Sequence, residues 1–256
     1  MNLGALIAGK TVFITGASSG IGAHLAQTSA RCGANVVMAA RRIDALHAME
    51  SDLKSRGAAG VLSLQLDVSD EARVRSAITA AREAFGPIDV IVNNAGVAGG
   101  SPAMDMSIAE FDSIITINLR GAFLVASEAA RAWRDEKRGG AIVNIASVLG
   151  FRQAGGVSAY AISKAGVVQM TKVLALEWAR YNIRVNAIAP GYFDTAMNEG
   201  YFDTEAGKTM IKRIPMRRIG DLGDLDGPFL LLATEASRFM TGAIVPVDGG
   251  HLVNSL

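Results

Sequence analysis

Seven short, β-branched apolar runs recur along the chain with helical patterns between them, and this alternation limits the fold more than any other feature. The runs are Thr11–Thr15, Asn35–Ala40, Val61–Leu66, Val90–Asn93, Ala141–Ile145, Arg184–Ile188 and Ala243–Val247. Most are continuously apolar rather than alternating, the pattern of strands covered on both faces. The segments between them reach about 12 residues or more, long enough for right-handed crossovers between parallel strands. The expected fold class is α/β, a doubly wound parallel sheet of seven strands with helices on both faces. No linker, low-complexity tract or repeat interrupts the pattern, so residues 1–256 are expected to form a single domain. Between Pro190 and Val245 lie two helical segments, Asp194–Arg213 and Leu222–Thr234. The first is rich in Met and Gly, which suits a lid over about residues 191–215. The second carries Gly227-Pro228, so its helix should start late or bend.

Composition removes several function classes. With half the residues hydrophobic and 19% charged, the chain is not a disordered one. A net charge of +1 gives no electrostatic case for nucleic acid or an anionic membrane. Cys32 is the only cysteine, and His24, His47 and His251 are scattered, so neither an internal disulfide nor a metal centre is expected. Met1–Ala8 lacks the form of a signal peptide, and no apolar stretch reaches the ~18 residues of a spanning helix. The expectation is a soluble protein of the reducing cytoplasm.

Directly after the first strand comes Thr15-Gly16-Ala17-Ser18-Ser19-Gly20-Ile21-Gly22, then a helix. Glycines there let the backbone turn sharply and approach a pyrophosphate at the helix N-terminus, as in a Rossmann-type fold. The spacing is one residue longer than the usual dinucleotide fingerprint. A carboxylate at the end of the second strand would take the ribose 2′-hydroxyl of NAD, yet that strand is followed by Arg41-Arg42, and Asp44 falls beyond it. Guanidinium groups match a 2′-phosphate, so NADP(H) is expected, with NAD(H) as the other possibility.

Tyr160 and Lys164 stand four residues apart, which on a helix places an ammonium beside a phenol. A free tyrosine titrates near pH 10, too high for proton transfer at neutral pH, and a neighbouring positive charge favours its phenolate. Ser147 ends the fifth strand and Asn93-Asn94-Ala95-Gly96 the fourth, both at the carboxyl edge where open α/β sheets bind ligands. Asn118 follows a helical segment, in Ile117-Asn118-Leu119.

Together with Asp67-Val68, Pro190-Gly191 and Val247-Asp248-Gly249-Gly250, these motifs make the chain similar, along essentially its whole length, to the short-chain dehydrogenase/reductase family. That resemblance implies Tyr160 as the acid/base and Lys164 as the residue that lowers its pKa and binds the nicotinamide ribose. It implies Ser147 as donor to the substrate oxygen, and Asn118 as holder of a water in a proton relay. It implies cofactor contacts from Gly16, Ser18, Ser19, Gly20, Ile21, Gly22, Arg41, Arg42, Asp67, Val68, Asn94, Ala95, Gly96, Pro190, Gly191 and Thr195. NADP-using members often carry a basic residue where this chain has Ser19.

The expected activity is a metal-free, NADP(H)-dependent carbonyl reductase or secondary-alcohol dehydrogenase acting on a small molecule. Val148, Leu149, Phe151, Gln153, Val157, Tyr192, Met197 and Met210 are candidate substrate neighbours, mostly apolar, which favours an uncharged or weakly polar ketone. The alternative is a 3-oxoacyl thioester reductase, with the basic run Arg131, Arg134, Lys137 and Arg138 meeting an acidic carrier protein. A remote alternative is a non-catalytic NADPH-binding sensor. The resemblance also implies a homotetramer, with Ser107–Lys137 and Gly156–Tyr181 supplying the helical interface.

Overall fold

In the computed structural model, which describes residues 2–195, 198 and 200–253, each expected run becomes a strand. They are β1 (Thr11–Thr15), β2 (Asn35–Ala40), β3 (Gly60–Gln65), β4 (Val90–Asn93), β5 (Gly140–Ile145), β6 (Ile183–Pro190) and β7 (Ile244–Val247). All pair in parallel, in the order β3-β2-β1-β4-β5-β6-β7. Chain order reverses between β1 and β4, and a crevice opens beyond the carboxyl ends of strands at such a switch point.

Helices α1 (Gly20–Arg31), α2 (Ile43–Ser55), α3 (Glu71–Phe85), α4 (Ile108–Ile115), α5 (Ala122–Asp135), α6 (Ser158–Trp178), α7 (Glu205–Arg213) and α8 (Asp226–Ala233) complete the fold. Alternation along the strands divides the core into two layers. Val12 and Ile14 of β1, with Val36 and Met38 of β2, pack beneath Leu25 of α1, Leu46 and Leu53 of α2 and Phe229 of α8. Phe13 and Val37 face the other way, against Ile78 of α3, Trp133 of α5 and Leu174 of α6. Burying a side chain of this size contributes about 1.5–3 kcal/mol, so a one-residue slip in register would reverse every such contact. Trp133 also donates from Nε1 to the Ile88 carbonyl at 2.7 Å. It lies so close to β5 that a Cβ at Gly140 would stand 2.4 Å from its ring.

Two local features differ in detail from simple helices. A π-turn, Thr116–Gly121, joins α4 to α5, so Asn118 sits inside one continuous helical run rather than after a helix. A 3-10 turn over Leu222–Leu225 precedes α8, whose late start puts Pro228 in its first turn, where a missing N–H costs least. Among the described residues, no helix is long and apolar enough to cross a membrane.

Candidate active site

The glycine loop is coiled so tightly that side chains have no room at two of its positions. A Cβ at Gly22 would lie 2.4 Å from both the Gly16 carbonyl oxygen and Asn94 Nδ2, and one at Gly16 would lie 2.8 Å from the Ala95 Cα. Gly16 also has φ +65°, a conformation that favours glycine. Asn94 fastens the loop from the neighbouring strand end, donating from Nδ2 to the Thr15 and Gly16 carbonyls at 3.0 and 3.1 Å. Thr15 Oγ1 in turn accepts from the Asn94 and Ala95 amides at 3.1 and 3.0 Å. The loop therefore holds its shape against β4, and the first turn of α1 leaves its amides directed at whatever occupies the crevice.

That crevice is a cleft of about 590 Å³. It is lined by Gly16, Ser18, Ser19, Gly20 and Ile21 of the loop, Arg41 and Arg42 after β2, and Asp67 and Val68 after β3. Asn94, Ala95 and Gly96 follow β4, Ser147 follows β5, and Tyr160 and Lys164 enter from α6. Pro190, Gly191 and Thr195 close the far wall. Of the expected cofactor residues only Gly22 stands behind the wall, packed on Asn94 and Gly16. The cleft also takes in Ala40, Leu66, Val97, Ile117, Ile145, Ala146, Phe193 and Asn198, which sequence reasoning missed. Several of these simply end or follow a strand, and that position was the available signal.

At one end of the cleft the charges suit an anion. Arg42 donates from Nη2 to Ser18 Oγ at 3.1 Å and to Ser19 Oγ at 3.0 Å, so its guanidinium stands over the phosphate loop. A basic side chain thus reaches the place where Ser19 itself has no charge. Arg41 is exposed beside Asp67, whose carboxyl is held below the usual range by Ser69, bonding through its hydroxyl and its amide, with a smaller pull from Arg41. Asp44 sits in the first turn of α2, beyond the end of β2.

At the other end Tyr160 occupies the first turn of α6, and Lys164 follows one turn later with Nζ 5.6 Å from the Tyr160 ring centroid. Lys164 is buried and donates to the Ile145 carbonyl at 2.7 Å. Burial lowers its pKa to about 8. The sequence leads one to expect Tyr160 to be lowered by Lys164. Instead burial dominates and pushes the phenol up, with a hydrogen bond to Ser147 pulling the other way. Lys164 directs its ammonium to the Ile145 carbonyl, and burial of the phenol is the largest influence on Tyr160. Ser147 Oγ accepts from the Leu149 amide at 3.1 Å, which fixes the hydroxyl at the strand end.

Asn118 is brought to the same place but is already committed. Its Oδ1 accepts from the Val97 amide at 2.8 Å, and Nδ2 donates to the Val97 carbonyl at 2.9 Å and to Ser163 Oγ at 3.0 Å. The side chain thus ties the β4 exit to α6 and has no donor left for a water.

Of the candidate substrate neighbours, Leu149, Phe151, Gln153 and Val157 lie on the segment between Ser147 and Tyr160, outside the cleft wall. Val148 and Met210 are buried. Tyr192 stands near enough to Tyr160 to raise its pKa slightly. Met197 lies outside the described residues. The run Arg131, Arg134, Lys137 and Arg138 spans the last turns of α5 and the connection to β5, at the edge of the sheet opposite the cleft. Arg131 pairs there with Glu128, Arg134 with Asp135, and Arg138 with Asp89. Among the described residues, no three His, Cys, Asp or Glu side chains group as a metal centre.

A family described as Enoyl-(Acyl carrier protein) reductase matches residues 16–251, from the first loop glycine to the turn after β7. The chain belongs to the short-chain dehydrogenase/reductase family. It is 34% identical to a gluconate 5-dehydrogenase of Gluconobacter oxydans (strain 621H), over 97% of this chain and 96% of the relative. It is 36% identical to a 3-oxoacyl-(acyl-carrier-protein) reductase of Thermotoga maritima, over 96% and 98%. Its fold superposes, with TM-score 0.93 and 33% identity over 100% of both chains, on a gluconate 5-dehydrogenase from Burkholderia cenocepacia J2315 solved in complex with NADP and tartrate. As a member of this family the chain is an oxidoreductase.

Proposed function

We propose that the protein is an NADP(H)-dependent oxidoreductase that interconverts a ketone and a secondary alcohol, with Tyr160 as the proton donor and acceptor. The observation that carries this reading is the meeting of Ser147, Tyr160 and Lys164 at one end of a cleft whose other end holds Arg41 and Arg42. A cleft walled by a loop with no room for Cβ atoms fits a dinucleotide, which supplies or accepts the hydride when bound.

The chain's own residues do the rest. Ser147 donates to the substrate oxygen and aligns it with Tyr160. In reduction the Tyr160 hydroxyl gives its proton to that oxygen, and in oxidation the phenolate takes it back. Lys164 binds the nicotinamide ribose hydroxyls and stabilises the phenolate electrostatically. With the Asn118 side chain committed, the relay water belongs on a main-chain carbonyl, because a π-turn leaves one without its helical donor. Asp67 and Val68 flank the adenine, and Thr195 closes on the carboxamide. The 2′-phosphate falls to Arg42, with Arg41 beside it. The Arg42 bonds to Ser18 and Ser19 are to neutral, exposed hydroxyls, each worth about 1 kcal/mol, and a phosphate is a stronger acceptor. The NADP in the Burkholderia cenocepacia neighbour supports the same choice.

In this reading residues 1–256 form one domain, with a lid over about 191–215, acting in the cytoplasm as a homotetramer. Exposed Phe123 on α5 and Val173 and Leu176 on α6 support a helical interface between copies. A 3-oxoacyl thioester remains the second reading because of the Thermotoga maritima relative. The basic run at the far edge of the sheet, whose three arginines already pair with acids, lends it no support. The test is the initial rate of NADPH consumption, with NADH in parallel, across a ketone panel that includes one 3-oxoacyl thioester. Preference for a ketone upholds the first reading, and preference for the thioester replaces it with the second.

A further inference from the structure

Beside the reaction centre stands a second set of polar groups that proton and hydride transfer leave unused. The chain leaving β6 packs directly on the chain leaving β7, where a Cβ at Gly191 would lie 2.8 Å from the Asp248 Cα. Gly249 and Gly250, with φ +62° and +85°, then turn the chain back. His251 thereby meets Tyr192 edge to face, ring centroids 5.4 Å apart. Asp248 secures this turn, its carboxylate accepting from the Gly250 amide at 2.9 Å and the Leu252 amide at 2.7 Å. From the other side, the turn that begins at Ser147 delivers Arg152, whose amide donates to the Val148 carbonyl at 2.9 Å. The Arg152 guanidinium donates from Nη1 to the His251 carbonyl.

Three facts make this cluster incomplete as it stands. Among the described residues Arg152 has no carboxylate partner, and its remaining N–H groups make no hydrogen bond. His251 is 9% exposed, and among the described residues its buried Nδ1 has no hydrogen-bond partner. A buried polar atom in that state carries an uncompensated desolvation penalty that a hydrogen-bonding ligand group would relieve. The acid beside it, Asp248, bears on His251 but spends both carboxylate oxygens on the glycine turn. Positive charge from Arg152 and Arg213 reaches His251, and that of Arg152 also reaches Tyr192. Tyr192 lies between Gly191 and Phe193, which line the cleft together with Tyr160, and it bears on Tyr160 electrostatically.

We propose that Arg152, Tyr192 and His251 form an anion subsite next to Tyr160, so that the substrate is an oxo or hydroxy acid whose carboxylate binds there. A guanidinium fork matches a planar carboxylate, and the phenol and imidazole supply further hydrogen bonds. This replaces the uncharged ketone expected from the apolar candidates, and it rests on the reading of Tyr160 as acid/base. The pairing was invisible in the sequence because Arg152 and His251 lie 99 residues apart.

The test compares 4-oxopentanoate with its methyl ester, which removes the charge and keeps the ketone. Calorimetric titration of the NADP+ complex gives binding without turnover, and NADPH oxidation gives kcat/KM. In the wild type the acid should exceed the ester at least tenfold in both. Arg152→Met should cut that ratio at least tenfold, chiefly through KM, and Arg152→Lys should restore part of it. Equal losses for acid and ester would overturn the subsite, as would a wild type without acid preference in binding. Tighter binding of inorganic phosphate than of 4-oxopentanoate would overturn the carboxylate assignment. Acid preference in binding with no turnover of either compound would uphold the subsite and count against the ketone reductase reading instead.

Discussion

Removing the Lys164 charge should change how stability depends on pH, and in a direction opposite to what loss of a buried contact suggests. The side chain is buried, and its pKa falls from 10.5 to about 8 because desolvation penalises the ammonium. Below pH 8 both folded and unfolded chains carry the proton, and the folded state bears the full cost of a buried charge. Between pH 8 and 10.5 the unfolded chain binds the proton and the folded chain does not, so stability rises with pH. At about 1.4 kcal/mol per pH unit, the wild type gains roughly 2 kcal/mol from this group between pH 7 and 9.5. Lys164→Met has no such gain, and at pH 7 it trades the relief of a buried charge against an unpaired Ile145 carbonyl, costing about 1–3 kcal/mol. Urea unfolding of the cofactor-free proteins at pH 7, 8.5 and 9.5 measures the difference. The wild type should gain on Lys164→Met by roughly 2 kcal/mol across the range, while the variant loses turnover. Parallel curves for the two proteins would refute a lysine held near pKa 8.

Other expectations follow from the cleft. Arg42→Ala should weaken NADPH binding at least tenfold and NADH little, measured by fluorescence titration, with Arg41→Ala showing a smaller loss of the same sign. Losses equal for the two cofactors would remove the 2′-phosphate role. Gly22→Ala sets a Cβ 2.4 Å from the Gly16 carbonyl oxygen, an overpacking that costs about 1–3 kcal/mol. It should lower the unfolding midpoint and cofactor affinity together, and a variant with wild-type affinity would show that the loop can relax. Treatment with a chelator should leave the rate of NADPH oxidation unchanged, whereas a loss restored by added metal would contradict proton transfer by Tyr160 alone.

Much of the scaffold was legible because strands buried on both faces must be continuously apolar, and most of the seven runs have that character. Boundaries slipped where pairing, not composition, sets the end. β6 extends to Pro190 because its last residue still registers with Val247 of β7. The π-turn at Asn118 left no mark in the sequence, since helical periodicity is read over spans longer than one widened turn. Ser19 looked like a departure from an NADP site, but Arg42, 23 residues away, covers it. Spacing reveals the charge next to Tyr160 and not the burial that raises its pKa. Arg152 and His251 required the tertiary fold to meet.

The central claim is that Tyr160 moves the proton while the cleft binds the cofactor independently of it. Rates of NADPH oxidation by the wild type and Tyr160→Phe should be measured with the best substrate of the panel, alongside NADPH binding by fluorescence. The account predicts a loss of turnover of about a hundredfold or more, the scale of general acid catalysis, with NADPH affinity within a few-fold of wild type. Substantial turnover by Tyr160→Phe, with the cofactor bound, would contradict it.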